Sequence, residues 1–170
     1  MKLGSLETII RALDEAGARY LVVGGLAVAA HGYGRLTFDL DLVLEMIPEN
    51  IEKAIRSLQS LGYQPLIPLS AMDFANPEER QRWIKEKNMV VFQLHSDEHP
   101  ETRIDLFVEE PFRFGEEFEK ALSGELIPGF PIHFVSLNTL IKMKEVSDRE
   151  KDREDIRQLK RIQELEAGGQ

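Results

Sequence analysis

Asp39 and Asp41 stand two residues apart in the apolar run Thr37 to Leu44 (TFDLDLVL). In an extended strand successive side chains alternate, so Phe38, Leu40, Leu42 and Leu44 share one face while Asp39, Asp41 and Val43 share the other. Two carboxylates on one face, roughly 7 Å apart along the strand, repel each other, and burying either without a partner costs several kcal/mol. A divalent cation removes both penalties at once. Asp105 repeats the pattern in Thr102 to Val108 (TRIDLFV), where Arg103, Asp105 and Phe107 lie opposite Ile104, Leu106 and Val108. Asp39 and Asp41 point to an oxygen-ligand metal site, and the plain reading of Asp105 is a structural carboxylate paired with Arg103 or Arg35.

A second element with chemical capacity lies upstream. Arg19 to Val23 reads as a short buried strand, Gly24-Gly25 follows it directly, and Leu26 to His31 continues as a small-residue helix. Such a strand, glycine turn and helix start leaves backbone amides open to close approach by phosphate oxygens. The bland alternative is a tight turn in a structural βα unit. The chain has no G-x-G-x-x-G and no Lys-Ser/Thr at the end of a Walker-type loop, so neither familiar phosphate loop is present.

Taken together, GGLAVAAHGYGRLTFDLD, with thirteen residues between Gly25 and Asp39, resembles the signature of the polymerase-beta-type nucleotidyltransferase superfamily. Within it, the likeness is to a small bacterial branch that includes AbiEii-like toxins, MNT-type antitoxins and antibiotic nucleotidyltransferases. The run K-x-K-x(4)-R-x-K-D-x-x-D, from Lys142 to Asp155, resembles the C-terminal helical signature of the same group. The resemblance implies that Asp39, Asp41 and Asp105 hold two Mg²⁺ ions, with Mn²⁺ as a possible substitute, and that Asp105 receives the proton of the attacking group. It implies an NTP donor contacted through Gly24, Gly25, Arg35, Thr37 and Lys142 (or Lys144), with Asp152 orienting the lysine. The plain reading of the same helix is surface ion pairing, Arg149 with Asp152 and Lys151 with Asp155. His31 reads as a cap or packed side chain rather than a base.

Elements must hold these residues in place. Ser5 to Ala16 has a helical apolar period, with Ser5 as a cap and Gly17 as a stop. A helix starts at Pro48 and ends at Gly62. Pro65 to Pro68 reads as an irregular or edge segment, and Ala71 to Asn88 as a solvated helix or as a cap or substrate-contacting insertion between strands. Met89 to His95 is a further strand. Pro111 to Leu122 reads as a charged helix, Pro128 to Val135 as a strand, and Ser136 caps a helix with Leu137, Leu140, Ile141 and Val146 inward. A last helix spans about Arg149 to Leu165, its apolar stripe ending at Leu165. The expected fold is α/β (α+β): a small mixed sheet flanked by helices. One domain, residues 1–166, is expected, with a core to about 135, helices over 136–166 and a loose tail at 167–170.

Composition narrows the function classes. The formal charge of −9 argues against a broad nucleic-acid-binding face. There is no cysteine for disulfides or thiolate metal sites, no apolar run long enough to cross a bilayer, and MKLGSLETII does not read as a secretory signal, so a cytoplasmic setting is expected. Two classes remain. One is an enzyme passing a nucleoside monophosphate from an NTP to a hydroxyl of a partner protein, a tRNA 3′ end or a small molecule. A toxin–antitoxin setting with a helical partner protein follows from the resemblance alone. The other is a non-catalytic interaction or nucleotide-sensing module on the same fold. Oligomeric state, acceptor and base preference stay open.

Overall fold

The first helix, α1 (Leu3–Glu15), buries Leu6, Ile9, Ile10 and Leu13 as its spacing requires. It starts earlier than expected, with Lys2 as the cap residue and Ser5 buried inside the first turn. Gly17, at φ +63°, ends it. The computed structural model describes residues 1–127 and 130–168.

Among the described residues the remaining elements, in order, are β1 (Tyr20–Val22), α2 (Gly24–Ala30), β2 (Asp39–Leu44), α3 (Pro48–Ser60), β3 (Gln64–Pro65), α4 (Pro77–Lys87), β4 (Val91–His95), β5 (Arg103–Phe107), α5 (Phe114–Phe118), β6 (Leu122–Ile127), β7 (Phe130–Phe134), α6 (Leu137–Ser147) and α7 (Glu150–Gly168). The strands form one mixed sheet in the order β3-β4-β5-β2-β1-β7-β6. The pairs β2·β5 and β1·β7 are parallel, and the other neighbours run antiparallel. The α/β class expected from the pattern is the class observed. No helix of the described residues is long and apolar enough to cross a membrane.

β2 lies mid-sheet because its alternation suits that position: Leu40, Leu42 and Leu44 are fully buried, and the polar face keeps Asp39 and Asp41 half-buried. Two segments differ from expectation. Residues 111–122 contain only the short α5, and Leu122 already opens the edge strand β6. The Ser123-Gly124 pair is a poor helix continuation, and Gly124 lies flat against the Phe134 ring of β7, where a Cβ would sit 3.4 Å from it. The segment 71–88 is a 3-10 turn (Ala71–Ala75) followed by α4 and is not simply solvated. Trp83 is buried and stacks on Phe92 at 5.1 Å between centroids, with Phe74 5.3 Å from Phe92. That aromatic cluster pins the helix to β4.

α6 is capped by Ser136, whose Oγ accepts from Thr139 N. The buried Glu117 of α5 clamps the same turn, accepting from Ser136 N and Thr139 Oγ1, both at 2.8 Å. Of the expected strand 128–135, Pro128 and Gly129 lie outside the described residues. Of the expected tail, Ala167 and Gly168 belong to α7 and residues 169–170 lie outside the description.

Candidate active site

The parallel register of β2 and β5 sets Asp41 directly beside Asp105, and Asp39 beside Arg103. The antiparallel register of β5 and β4 then sets Asp105 beside Gln93. Side chains at paired positions project from the same face, so Asp41, Asp105 and Gln93 form one row across three strands. Gln93 Nε2 donates to Asp105 Oδ1 at 3.1 Å.

Gly24 and Gly25 open α2 rather than preceding it, and both are held tightly against this row. Gly24 has φ +64°, and a Cβ there would lie 1.9 Å from Asp41 Oδ2. A Cβ on Gly25 would meet the Arg35 guanidinium at 2.7 Å and Thr37 Oγ1 at 2.8 Å. The Gly25 amide donates to the Asp41 carboxylate. Gly24→Ala is therefore expected to cost about 2 kcal/mol or more, combining a left-handed backbone penalty with overpacking. Urea melts of this variant against Gly25→Ala check it. Gly25→Ala should suffer less, since its backbone is not left-handed and the nearest atom there is the end of the flexible Arg35 side chain.

Gly24, Gly25, Asp39, Asp41 and Asp105 line a cleft of about 270 Å³ together with Arg35, Thr37, Lys144, Arg149 and Lys151. Its floor is anionic. Burial, then the charges of Asp105 and Asp39, push the Asp41 carboxyl up to about 6, against the opposing pull of the Gly25 amide and Lys144. Burial also raises Asp105, opposed by the Gln93 hydrogen bond. Thr37 turns its hydroxyl to the Asp39 carbonyl at 3.2 Å. His31 packs as expected, with Nε2 2.8 Å from the Val135 carbonyl oxygen.

The opposite wall comes from α6 and α7. Lys144 is buried and pairs with Asp152 Oδ1 at 3.0 Å and Asp155 Oδ2 at 2.7 Å. Arg149 Nε binds Asp152 Oδ2 at 2.8 Å, and Ser147 Oγ donates to the same oxygen. Arg35 Nε sits 3.2 Å from Asp155 Oδ1, which ties the loop before β2 to α7. Burial works against a charged Asp152, but hydrogen bonds from Arg149, Ser147 and Lys144 outweigh it and hold its carboxyl well below the usual range.

Most of the residues singled out in the sequence thus meet at one cleft: Gly24, Gly25, Arg35, Thr37, Asp39, Asp41 and Asp105. Lys142 does not. It is exposed on α6 and lines no part of the cleft, while Lys144, about 200° away around the helix at its residue spacing, faces inward. The expected Lys151–Asp155 pair is also absent, because Asp155 is engaged by Lys144 and Arg35. Gln93 carries no local sequence signal, since its significance depends on a register between distant strands.

Among the described residues no three His, Cys, Asp or Glu side chains are gathered closely enough to hold a metal ion as they stand. The donor set nonetheless suits a hard divalent cation: carboxylate oxygens alone, facing one cleft, with unrelieved repulsion at Asp41.

No protein-family model matches the chain, and no curated protein matches it. Solved structures do. The crystal structure of the lincosamide antibiotic adenylyltransferase LnuA, lincomycin-bound, superposes with a TM-score of 0.62 at 16% identity, covering 95% of this chain and 98% of that one. ANT(2″)-Ia in complex with adenylyl-2″-tobramycin gives 0.59 at 16% identity, over 97% and 94% of the two chains. The solution structure of the antibiotic-resistance factor ANT(2″)-Ia gives 0.57 at 17% identity, over 96% and 88%. The likeness is one of fold: the chain is built as these antibiotic nucleotidyltransferases are.

Proposed function

We propose that the protein is a nucleotidyltransferase that moves a nucleoside monophosphate from an NTP to the hydroxyl of a small-molecule acceptor. The observation that carries this reading is the row of carboxylates, Asp41 beside Asp105 with Asp39 one step along β2, facing a cleft whose other wall is cationic. The fold shared with the lincosamide antibiotic adenylyltransferase LnuA and with ANT(2″)-Ia, seen in complex with adenylyl-2″-tobramycin, supports it and favours a small molecule among the acceptors considered. A net charge of −9 weighs against a tRNA 3′ end. A partner-protein hydroxyl in a toxin–antitoxin setting rests on the sequence resemblance alone.

In this reading the acceptor oxygen bonds to the α-phosphorus, the bond from that phosphorus to the bridging oxygen breaks, and pyrophosphate leaves. Asp39, Asp41 and Asp105 would hold the divalent cations, Mg²⁺ or Mn²⁺. When bound, such ions neutralise charge on the attacking and leaving oxygens and lower the pKa of the acceptor hydroxyl. Asp105 takes the acceptor proton at its carboxylate, and Gln93 fixes the rotamer of that carboxylate from the next strand. Gly24 and Gly25 keep the chain close to Asp41, and Arg35 and Lys144, steadied by Asp155, offset negative charge on the donor phosphates.

Melting temperature, recorded with each NTP with and without Mg²⁺, tests the proposal. A ligand at a hundredfold excess over its Kd adds about 2.7 kcal/mol of stability. A rise that requires both NTP and metal is the expected result, and its size across the four bases names the donor. No rise with any nucleotide would transfer the assignment to a non-catalytic interaction module.

A further inference from the structure

The cleft lining reaches Asp105 and stops there, yet the sheet face that carries Asp105 continues across β5, β4 and β3. Gln93 stands beside Asp105, and the same antiparallel register carried to the end of β4 sets His95 beside Arg103. Parallel pairing puts Arg103 beside Asp39, and β3 puts Gln64 beside His95. Arg103, His95 and Gln64 thus form a second row, next to the one that holds Asp105 and Gln93. The reverse face of these strands, with Phe92, Leu94, Ile104 and Leu106, is buried in the core. On the open face Gln64, Gln93 and Arg103 are exposed and His95 is half-buried.

The second row is uncommitted. The side chains of Gln64, His95 and Arg103 make no hydrogen bond or ion pair among the described residues. Arg103 does not close an ion pair even with Asp39 or Asp105, the carboxylates that flank it, and its charge acts on Asp105 only from a distance. In-line transfer places the attacking and leaving oxygens on opposite sides of the α-phosphorus. A hydroxyl that gives its proton to Asp105 must come within hydrogen-bond reach of that carboxylate. The glycine junction and the paired cations lie on the Asp41 side of Asp105, where the donor phosphates are held. The body of the acceptor therefore extends over the other side, across β5, β4 and β3. There it meets one guanidinium without an ion-pair partner, whose planar fork matches a carboxylate or a phosphate.

We propose that the acceptor lies on this open face and that Arg103 selects one carrying an oxyanion, a carboxylate or a phosphate ester, near its reactive hydroxyl. The inference rests on the nucleotidyl-transfer reading and adds to it the charge class of the acceptor.

Pyrophosphate release, with Mg²⁺ and the NTP that raises the melting point most, tests this on two matched series. One is glucosamine, glucose, glucuronate and glucose 6-phosphate; the other is serinol, glycerol, glycerate and glycerol phosphate. Each runs from a cation through a neutral compound to a carboxylate and a phosphate ester. The anionic members should show the higher kcat/KM, and whichever of them leads names the group. Arg103→Gln should cut that preference roughly tenfold while the melting-point rise with NTP and Mg²⁺ persists, and Arg103→Lys should restore part of it. An arginine with a structural role alone would change all members alike. A wild type that favours neutral or cationic acceptors, or responds to no anionic one, overturns the inference. An Arg103→Gln protein that keeps the anionic preference does the same, and in each case the NTP-dependent rise leaves the donor reading standing. A wild type whose melting point no nucleotide raises removes both.

Discussion

Asp41→Asn should yield a protein that melts higher than wild type at pH 7 and has lost transfer. The two effects share one cause. In the folded, ligand-free chain the Asp41 carboxyl titrates near 6, against an ordinary value of 3.8, because it is buried beside Asp105 and Asp39. Its ionised form is therefore disfavoured by folding. Between pH 4 and pH 6 the folded state binds more protons at this site than the unfolded chain, so stability falls as pH rises through that window. That rise from 3.8 to about 6 corresponds to about 3 kcal/mol lost by pH 7 and absent below pH 4. Asparagine keeps an oxygen for the Gly25 amide and carries no charge, so the variant should gain roughly 5 °C or more at pH 7 and nothing at pH 4. Transfer should fall about 10³-fold, since ion-mediated charge stabilisation of several kcal/mol depends on a carboxylate at this position. Melting curves from pH 4 to 8, with pyrophosphate release at pH 7, check both halves. Retained activity would sink the metal assignment, and an unchanged melting point at pH 7 would sink the electrostatic account.

Lys144→Ala should act in the opposite direction on stability. Removing the buried ammonium leaves Asp155 with Arg35 alone and strips Asp152 of one of its hydrogen bonds. Breaking a buried pair costs about 3–5 kcal/mol, and the surviving Arg149 and Arg35 contacts place this case near the lower end. Urea denaturation should show that loss as a lower midpoint, and NTP binding should weaken with it. Lys142→Ala, two residues away, should stay within about 0.5 kcal/mol of wild type, as surface substitutions do. Equal behaviour of the two variants would contradict the burial of Lys144.

The choice between those lysines also marks where sequence reasoning stopped. Leu137, Leu140, Ile141 and residue 144 follow one helical stripe, so Lys144 is the inward position by spacing alone. An apolar Val146 was expected inward instead, and it is 88% exposed. On α7 the buried stripe is Asp152, Asp155 and Leu159, two carboxylates where an apolar pattern would be sought, while Leu165 at the far end is exposed. A charge pattern on an apolar stripe becomes interpretable only when a counter-charge on another helix is known. The Asp39–Asp41 strand and the Gly24-Gly25 junction were legible because strand alternation and glycine turns are local signals. Gln93 was not. Its contact with Asp105 depends on which strands are neighbours, and β6 lies just past the charged segment 111–122, which holds only the short α5.

The cleft draws on residues 24–41, 93–105 and 144–151, and this spread has a consequence for biosynthesis. A ribosome releases the chain from its N-terminus, so the strands bearing Asp39, Asp41 and Asp105 are available before the helices bearing Lys144 and Arg149 have been made. Until then the acidic row has Arg35 as its upstream lining cation, and Arg35 still lacks its Asp155 anchor. The nascent core holds its repulsion without the balancing wall. Docking of α6 and α7 thus completes the charge balance of the core at the same moment as it completes the cleft. A nascent chain stalled near residue 135 should have the sheet's carboxylates and no assembled nucleotide site.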